Sequence, residues 1–99
     1  MKFVNDTEVD VIGTSLVGEI ITTRAKIEEV FGKPTFDEVS FDEKSYTQWF
    51  LEFEDGTVAT IYDWKRYEEG KVGRHELYDW HIGGKTAQAW YLVSEMLGA

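Results

Sequence analysis

The chain has 99 residues, 42% of them hydrophobic and 15% aromatic, a length for one compact domain over 1–99 and an aromatic content that excludes a disordered tail. Lys and Arg total 10 against 19 Asp and Glu, giving a formal net charge of −9. Such a surface repels nucleic-acid polymers and anionic membranes, because both are bound through cationic side chains.

In chain order, residues 8–14 read as an extended entry carrying Val9, Val11 and Ile12. Residues 16–21 read as a short strand or the approach to a helix. Thr22 and Thr23 are N-cap candidates, since a hydroxyl accepts a bond from an unpaired first-turn N–H. Ile27, Val30 and Phe31 then share one helical face, with Lys26, Glu28 and Glu29 on the other. Gly32 followed by Pro34 stops that helix.

Residues 35–45 are polar and acidic and read as loop. Residues 46–53 and 57–64 flank Glu54-Asp55-Gly56, a strong hairpin signal. A two-residue turn would set Trp49 beside Tyr62. A three-residue turn with a glycine bulge would set it beside Ile61 and change the face of every second-strand side chain. Residues 66–76 form a connection, and 78–82 a third strand. Residues 86–97 read as a closing helix, with Ala89, Trp90, Val93, Met96 and Leu97 mostly inward. The expected fold class is therefore α+β: an antiparallel sheet of three to four strands with two helices packed on one face.

Cysteine is absent, which removes disulfides, thiolate catalysis and cysteine-ligated metal. No apolar run reaches the ~18–20 residues of a membrane span, and the first residues do not read as a signal peptide, so a cytoplasmic location is expected. His75 and His81 are six apart, not the four of a zincin helix, so no metal and no cofactor is expected.

Two features point to a ligand. The first is an echo, Tyr62-Asp63-Trp64-Lys65 and Tyr78-Asp79-Trp80-His81. Alternation along a strand puts each Tyr with its Trp on one face and each Asp with its basic partner on the other. Neighbouring strands would thus gather four aromatics on one side, either as cross-strand packing or as an aromatic-lined pocket. The second is Gly83-Gly84-Lys85-Thr86 before the last helix. Backbone N–H groups and the helix dipole attract phosphate or carboxylate at such a terminus, although the same residues also suit an ordinary strand-to-helix turn. Position 79 is Asp where a phosphate loop needs glycine, so a nucleotidase is not expected. Asp79 and His81 could form an acid–base pair, but this short pattern does not establish catalysis.

Gly13-Thr14-Ser15-Leu16, Phe31-Gly32-Lys33-Pro34, the run from Phe53-Glu54-Asp55-Gly56-Thr57 through Val58-Ala59-Thr60-Ile61-Tyr62-Asp63-Trp64-Lys65, and Trp80-His81-Ile82-Gly83-Gly84 resemble small proteins encoded by tailed bacteriophages. The similarity covers about residues 12–97. It implies a small protein acting in the cytoplasm of an infected cell, and it carries over no catalytic residue.

The expectation is a non-catalytic binding protein for an anionic, base-containing small molecule, such as a cyclic-nucleotide signal in host defence. Trp64 and Trp80, with Tyr62 or Tyr78, would stack on the base. Gly83, Gly84, Lys85 and Thr86, with Lys65, Arg74 or His81, would hold the phosphate. The alternative is an acidic protein–protein inhibitor of a host protein, using the −8 of residues 1–56 (13 acids, 5 bases) and especially Asp37, Glu38, Asp42 and Glu43. An aromatic-rich sheet face also favours a homodimer.

Overall fold

The computed structural model describes residues 1–39, 44–64 and 69–98. Its elements are β1 (Phe3–Asn5), β2 (Ser15–Thr23), α1 (Arg24–Phe31), β3 (Phe36–Asp37), β4 (Thr47–Phe53), β5 (Val58–Tyr62), β6 (Leu77–Gly84) and α2 (Gln88–Leu97). All strand pairs are antiparallel, in the order β1-β4-β5-β6-β2. β3 also pairs with β4. The fold is α+β with two helices, as the pattern predicts, but the sheet has six strands rather than three to four.

The two extra strands are too short for alternation to reveal. β1 and β3 share the edge of β4 that faces away from β5, one beside residues 51–53 and the other beside 47–48. β1 is held by Phe3, whose ring lies edge-on to Phe31 at 5.1 Å. Asn5 Nδ2 donates to the carbonyls of Phe31 (3.0 Å) and Lys33 (2.7 Å), and so serves the unpaired end of α1. β3 is fixed by a charge cluster. Arg24 Nη1 and Nη2 donate to both carboxylate oxygens of Asp37 at 3.2 and 2.7 Å, and Thr47 Oγ1 donates to Asp37 at 3.0 Å.

Local chemistry sets the other boundaries. Thr23 Oγ1 accepts from Lys26 N at 3.1 Å and caps α1. The helix stops at Gly32, whose φ of 89° favours glycine. In the hairpin, Trp49 stands opposite Ile61, so the three-residue turn is the one formed. Gly56 takes φ 88°, and Phe53 N donates to Thr57 O at 2.8 Å. This register puts Trp49, Leu51, Phe53, Ala59 and Ile61 together inside, each no more than 2% exposed.

Both helices cover that same face. Ile27 and Phe31 of α1 and Ala89, Leu92, Val93 and Leu97 of α2 complete the core around Trp49 and Trp80. The two indoles meet edge-to-face at 5.4 Å. Each buried indole N–H is satisfied by backbone, Trp49 by Gly32 O at 3.0 Å and Trp80 by Thr22 O at 3.2 Å. The opposite face of the sheet carries no helix among the described residues. Among those residues, no helix is long and apolar enough to cross a membrane.

Candidate functional site

The pairing of β5 with β6 decides how the Tyr-Asp-Trp echo is used. Tyr62 stands opposite His81, not opposite Tyr78 or Trp80. The two copies therefore lie on opposite faces. Trp80 is fully buried against Trp49, and Tyr78 packs on it at 5.2 Å under the helices. Trp80 cannot stack on a ligand, and the four aromatics do not form one cluster. Asp63 is buried too: its Oδ1 accepts from the Tyr46 and Thr47 amides at 2.8 Å each and ties the start of β4 to the end of β5.

On the helix-free face, Tyr62, Trp64 and His81 form an aromatic wall. Trp64 stacks on His81 at 5.9 Å with 25° between planes, and Tyr62 meets His81 edge-on at 5.5 Å. The backbone of Trp64 is held by Tyr78, whose phenol oxygen accepts from Trp64 N at 3.1 Å. Glu19 Oε1 lies 3.6 Å from His81 Nε2 across the β2–β6 pair. Asp79 shares this face but makes no hydrogen bond to His81. Burial pushes the Tyr62 phenol above its ordinary pKa of 10.0, so it remains a donor at neutral pH.

Beside this wall lies an open groove of about 460 Å³. Its floor is made by Gly83 and Thr60, paired across β5 and β6, and Phe50, Trp64, Thr14, Ser15 and the buried Ser45 also line it. None of the residues lining it is charged. Gly83 is there for space: a Cβ at this position would lie 2.3 Å from Thr60 Oγ1. The Gln48 amide, the Thr60 hydroxyl and the Tyr62 phenol line the groove with no hydrogen-bond partner among the described residues. Cations sit at its margins. Lys44 Nζ lies 5.7 Å over the Trp64 ring, and the Lys85 stem passes near Gly13, next to Thr14.

The glycine pair does not form an anion cradle. Gly83 and Gly84 belong to β6 and sit between β5 and β2, so their backbone serves the sheet. α2 begins only at Gln88, and Thr86 supplies its first-turn acceptors, Oγ1 to Gln88 N at 3.3 Å and the carbonyl to Ala89 N at 3.2 Å. Gly84 instead lets α2 approach, since a Cβ there would lie 2.4 Å from Ala89 Cβ. Lys85 and Thr86 are exposed beyond the strand.

Of the residues singled out in the sequence, Tyr62, Trp64 and Gly83 line this groove, and His81 packs on the first two. Tyr78 and Trp80 lie on the other face, and Lys65 lies outside the described residues. Gln48, Phe50 and Thr60 were not anticipated. Their signal was in the hairpin: once Trp49 and Leu51 face inward, their alternates face the groove. Among the described residues, no three His, Asp or Glu side chains converge as a metal site requires. Comparison with known proteins gives no matching family model, no matching curated protein and no matching solved structure.

Proposed function

We propose that this is a non-catalytic binding protein that captures a small molecule carrying a flat, hydrogen-bonding ring and an anionic group, as a cyclic-nucleotide signal does. The observation that carries the reading is the uncharged polar groove beside the Tyr62–Trp64–His81 wall. A neutral lining suits the buried ring of a nucleobase and not a phosphate, whose desolvation would go uncompensated there. The ring would lie against the wall, with Gln48, Thr60 and Tyr62 reading its edge. The phosphate would stay at the rim, near Lys44. Stacking contributes ~1–3 kcal/mol per base, and with two or three hydrogen bonds micromolar affinity is within reach. The bacteriophage resemblance supplies the setting: capture of such a signal in an infected cell would counter host defence.

The test is calorimetric titration of cyclic nucleotides with one, two and three bases against the wild type, Trp64→Ala and Tyr62→Phe. Binding that weakens in both variants supports the reading. Absence of heat with every nucleotide at ~100 μM ligand ends it, since binding weaker than that is less favourable than about −5.5 kcal/mol and gives no capture at cellular concentration. Recovery of the ligand intact after incubation separates capture from turnover.

A second reading, an acidic inhibitor of a host protein, draws support from a different surface. Asp37 is already paired with Arg24 and Lys71, and Asp42 and Glu43 lie outside the described residues. Asp6, Glu8, Glu52 and Glu54, however, line a hollow together with Val4 and a single lysine, Lys2, and make no ion pair among the described residues. Capture of a host protein that fades steeply with salt and is lost in Glu52→Gln/Glu54→Gln would favour it.

A further inference from the structure

Resting on the small-molecule reading above, we propose that the ligand carries two flat rings and belongs to the dinucleotide class, because a second aromatic bay adjoins the groove on the same sheet face. That bay, about 600 Å³, is lined by Phe36, Glu38 and Val39 and shares Gln48 and Phe50 with the first. The strand register accounts for the adjacency. Phe36 stands opposite Gln48, Gln48 opposite Tyr62, and Tyr62 opposite His81. Four adjacent strands thus present these side chains in one line on the helix-free face.

At ~4.8 Å per strand, Phe36 and Tyr62 are ~10 Å apart. Stacked neighbouring bases, ~3.4 Å apart, could not use both positions, whereas two bases splayed apart on one phosphodiester backbone could. The second bay has its own platform, Phe36 edge-on to Phe50 at 5.0 Å, with Phe36 39% exposed. Gln48, between the bays, offers both a donor and an acceptor to either ring.

The bays differ in chemistry, and the difference selects the second ring. The first is uncharged, while the second is bordered by two carboxylates. Asp37 is occupied by Arg24, Thr47 and Lys71. Glu38 has no partner among the described residues and accepts N–H donors. A base presenting an amino group or ring N–H fits that bay better than one presenting only acceptors.

The test compares a cyclic dinucleotide bearing amino-substituted bases with the matching cyclic mononucleotide, by calorimetry. A second ring linked to the first binds at an effective concentration near millimolar, so the dinucleotide should bind about 10- to 100-fold tighter. Phe36→Ala should erase that advantage and leave the mononucleotide unchanged, whereas Phe36→Tyr should keep it. Glu38→Gln, a change on an exposed side chain, should reduce the advantage even if Phe36→Ala does not fold. A dinucleotide no tighter than the mononucleotide, or equal weakening of both by Phe36→Ala, overturns the two-ring assignment and leaves one-ring capture standing. Failure of both nucleotides to bind overturns one-ring capture itself.

Discussion

Gly83→Ala tests the groove floor directly. The new Cβ would lie 2.3 Å from Thr60 Oγ1, 3.5 Å from Tyr62 Cε1 and 3.6 Å from Ser15 O. Only the first contact is prohibitive. Thr60 is buried and β-branched, so rotating its hydroxyl away brings its methyl toward the same space. Overpacking of this kind costs ~1–3 kcal/mol, against a gain of ~0.4–1 kcal/mol from the stiffer unfolded chain. The net loss should be about 1–2 kcal/mol. Thr60→Ala removes the oxygen, and the nearest atom to the added methyl is then at an ordinary contact distance. A double-mutant cycle should therefore give a coupling of ~2 kcal/mol, with the doubly substituted protein at least as stable as Gly83→Ala alone. Urea denaturation resolves this, since 2 kcal/mol moves the midpoint by roughly 1 M at the m-values of small domains. Additivity within ~0.5 kcal/mol would show that Gly83 and Thr60 do not meet as described, and the groove floor would have to be redrawn.

Other outcomes can be checked with the same measurements. Burial works against ionisation of Asp37, but the Arg24 and Thr47 hydrogen bonds and the Arg24 and Lys71 charges outweigh it and hold its pKa below 3.8. That stabilisation is complete above about pH 4 and is lost as pH falls through the lowered value. Asp37→Asn should thus cost ~1 kcal/mol at pH 7, a figure reduced for partial exposure, and the difference from wild type should vanish in strong acid. Raising the Tyr62 pKa has the opposite sense: stability should fall as pH climbs past 10, where the unfolded phenol ionises first, and Tyr62→Phe should flatten that limb. Tyr62→Phe should also weaken ligand about 10-fold at neutral pH if the phenol donates to the ring. Asn5→Ala, which leaves the Phe31 and Lys33 carbonyls without their donor, should lower stability by ~1–2 kcal/mol in thermal melts.

The legible parts of the fold were those with period and punctuation. Thr23, Gly32 and Pro34 bracket α1, and alternation through Trp49, Leu51 and Phe53 marks the core face of β4. The hairpin register needed a partner to decide it. Both turns are chemically reasonable around Asp55-Gly56, and only the core's need to bury Ile61 beside Trp49 separates them. β1 and β3, at three and two residues, are too short to show a period and depend on Asn5 and on the Arg24–Asp37 pair. The echo misled because identical letters do not imply the same face. β5 ends at Tyr62 while β6 continues from Leu77 to Gly84, and the antiparallel register sets Tyr62 against His81.

Gly83-Gly84 shows why a glycine pair before a helix is ambiguous in sequence. Small size can open a backbone to an anion, or it can admit a neighbour, and neither use leaves a mark in the residues around it. Here adjacent positions in a strand point to opposite faces, so one glycine hollows the groove while the next seats α2 against the sheet. Ala89 and Val17 pack where the Gly84 side chain would be, directly behind the groove floor. The floor is consequently backed by close helix–sheet packing, and its shape is set before any ligand arrives. A preformed floor spares the ligand the cost of ordering it, roughly 0.5–1.5 kcal/mol for each side chain that would otherwise be immobilised. That saving would matter under the proposed function, in which an acidic protein takes up an anionic ligand. Long-range charge would oppose that encounter, so affinity would have to come from contact at a rigid, neutral surface rather than from attraction at a distance.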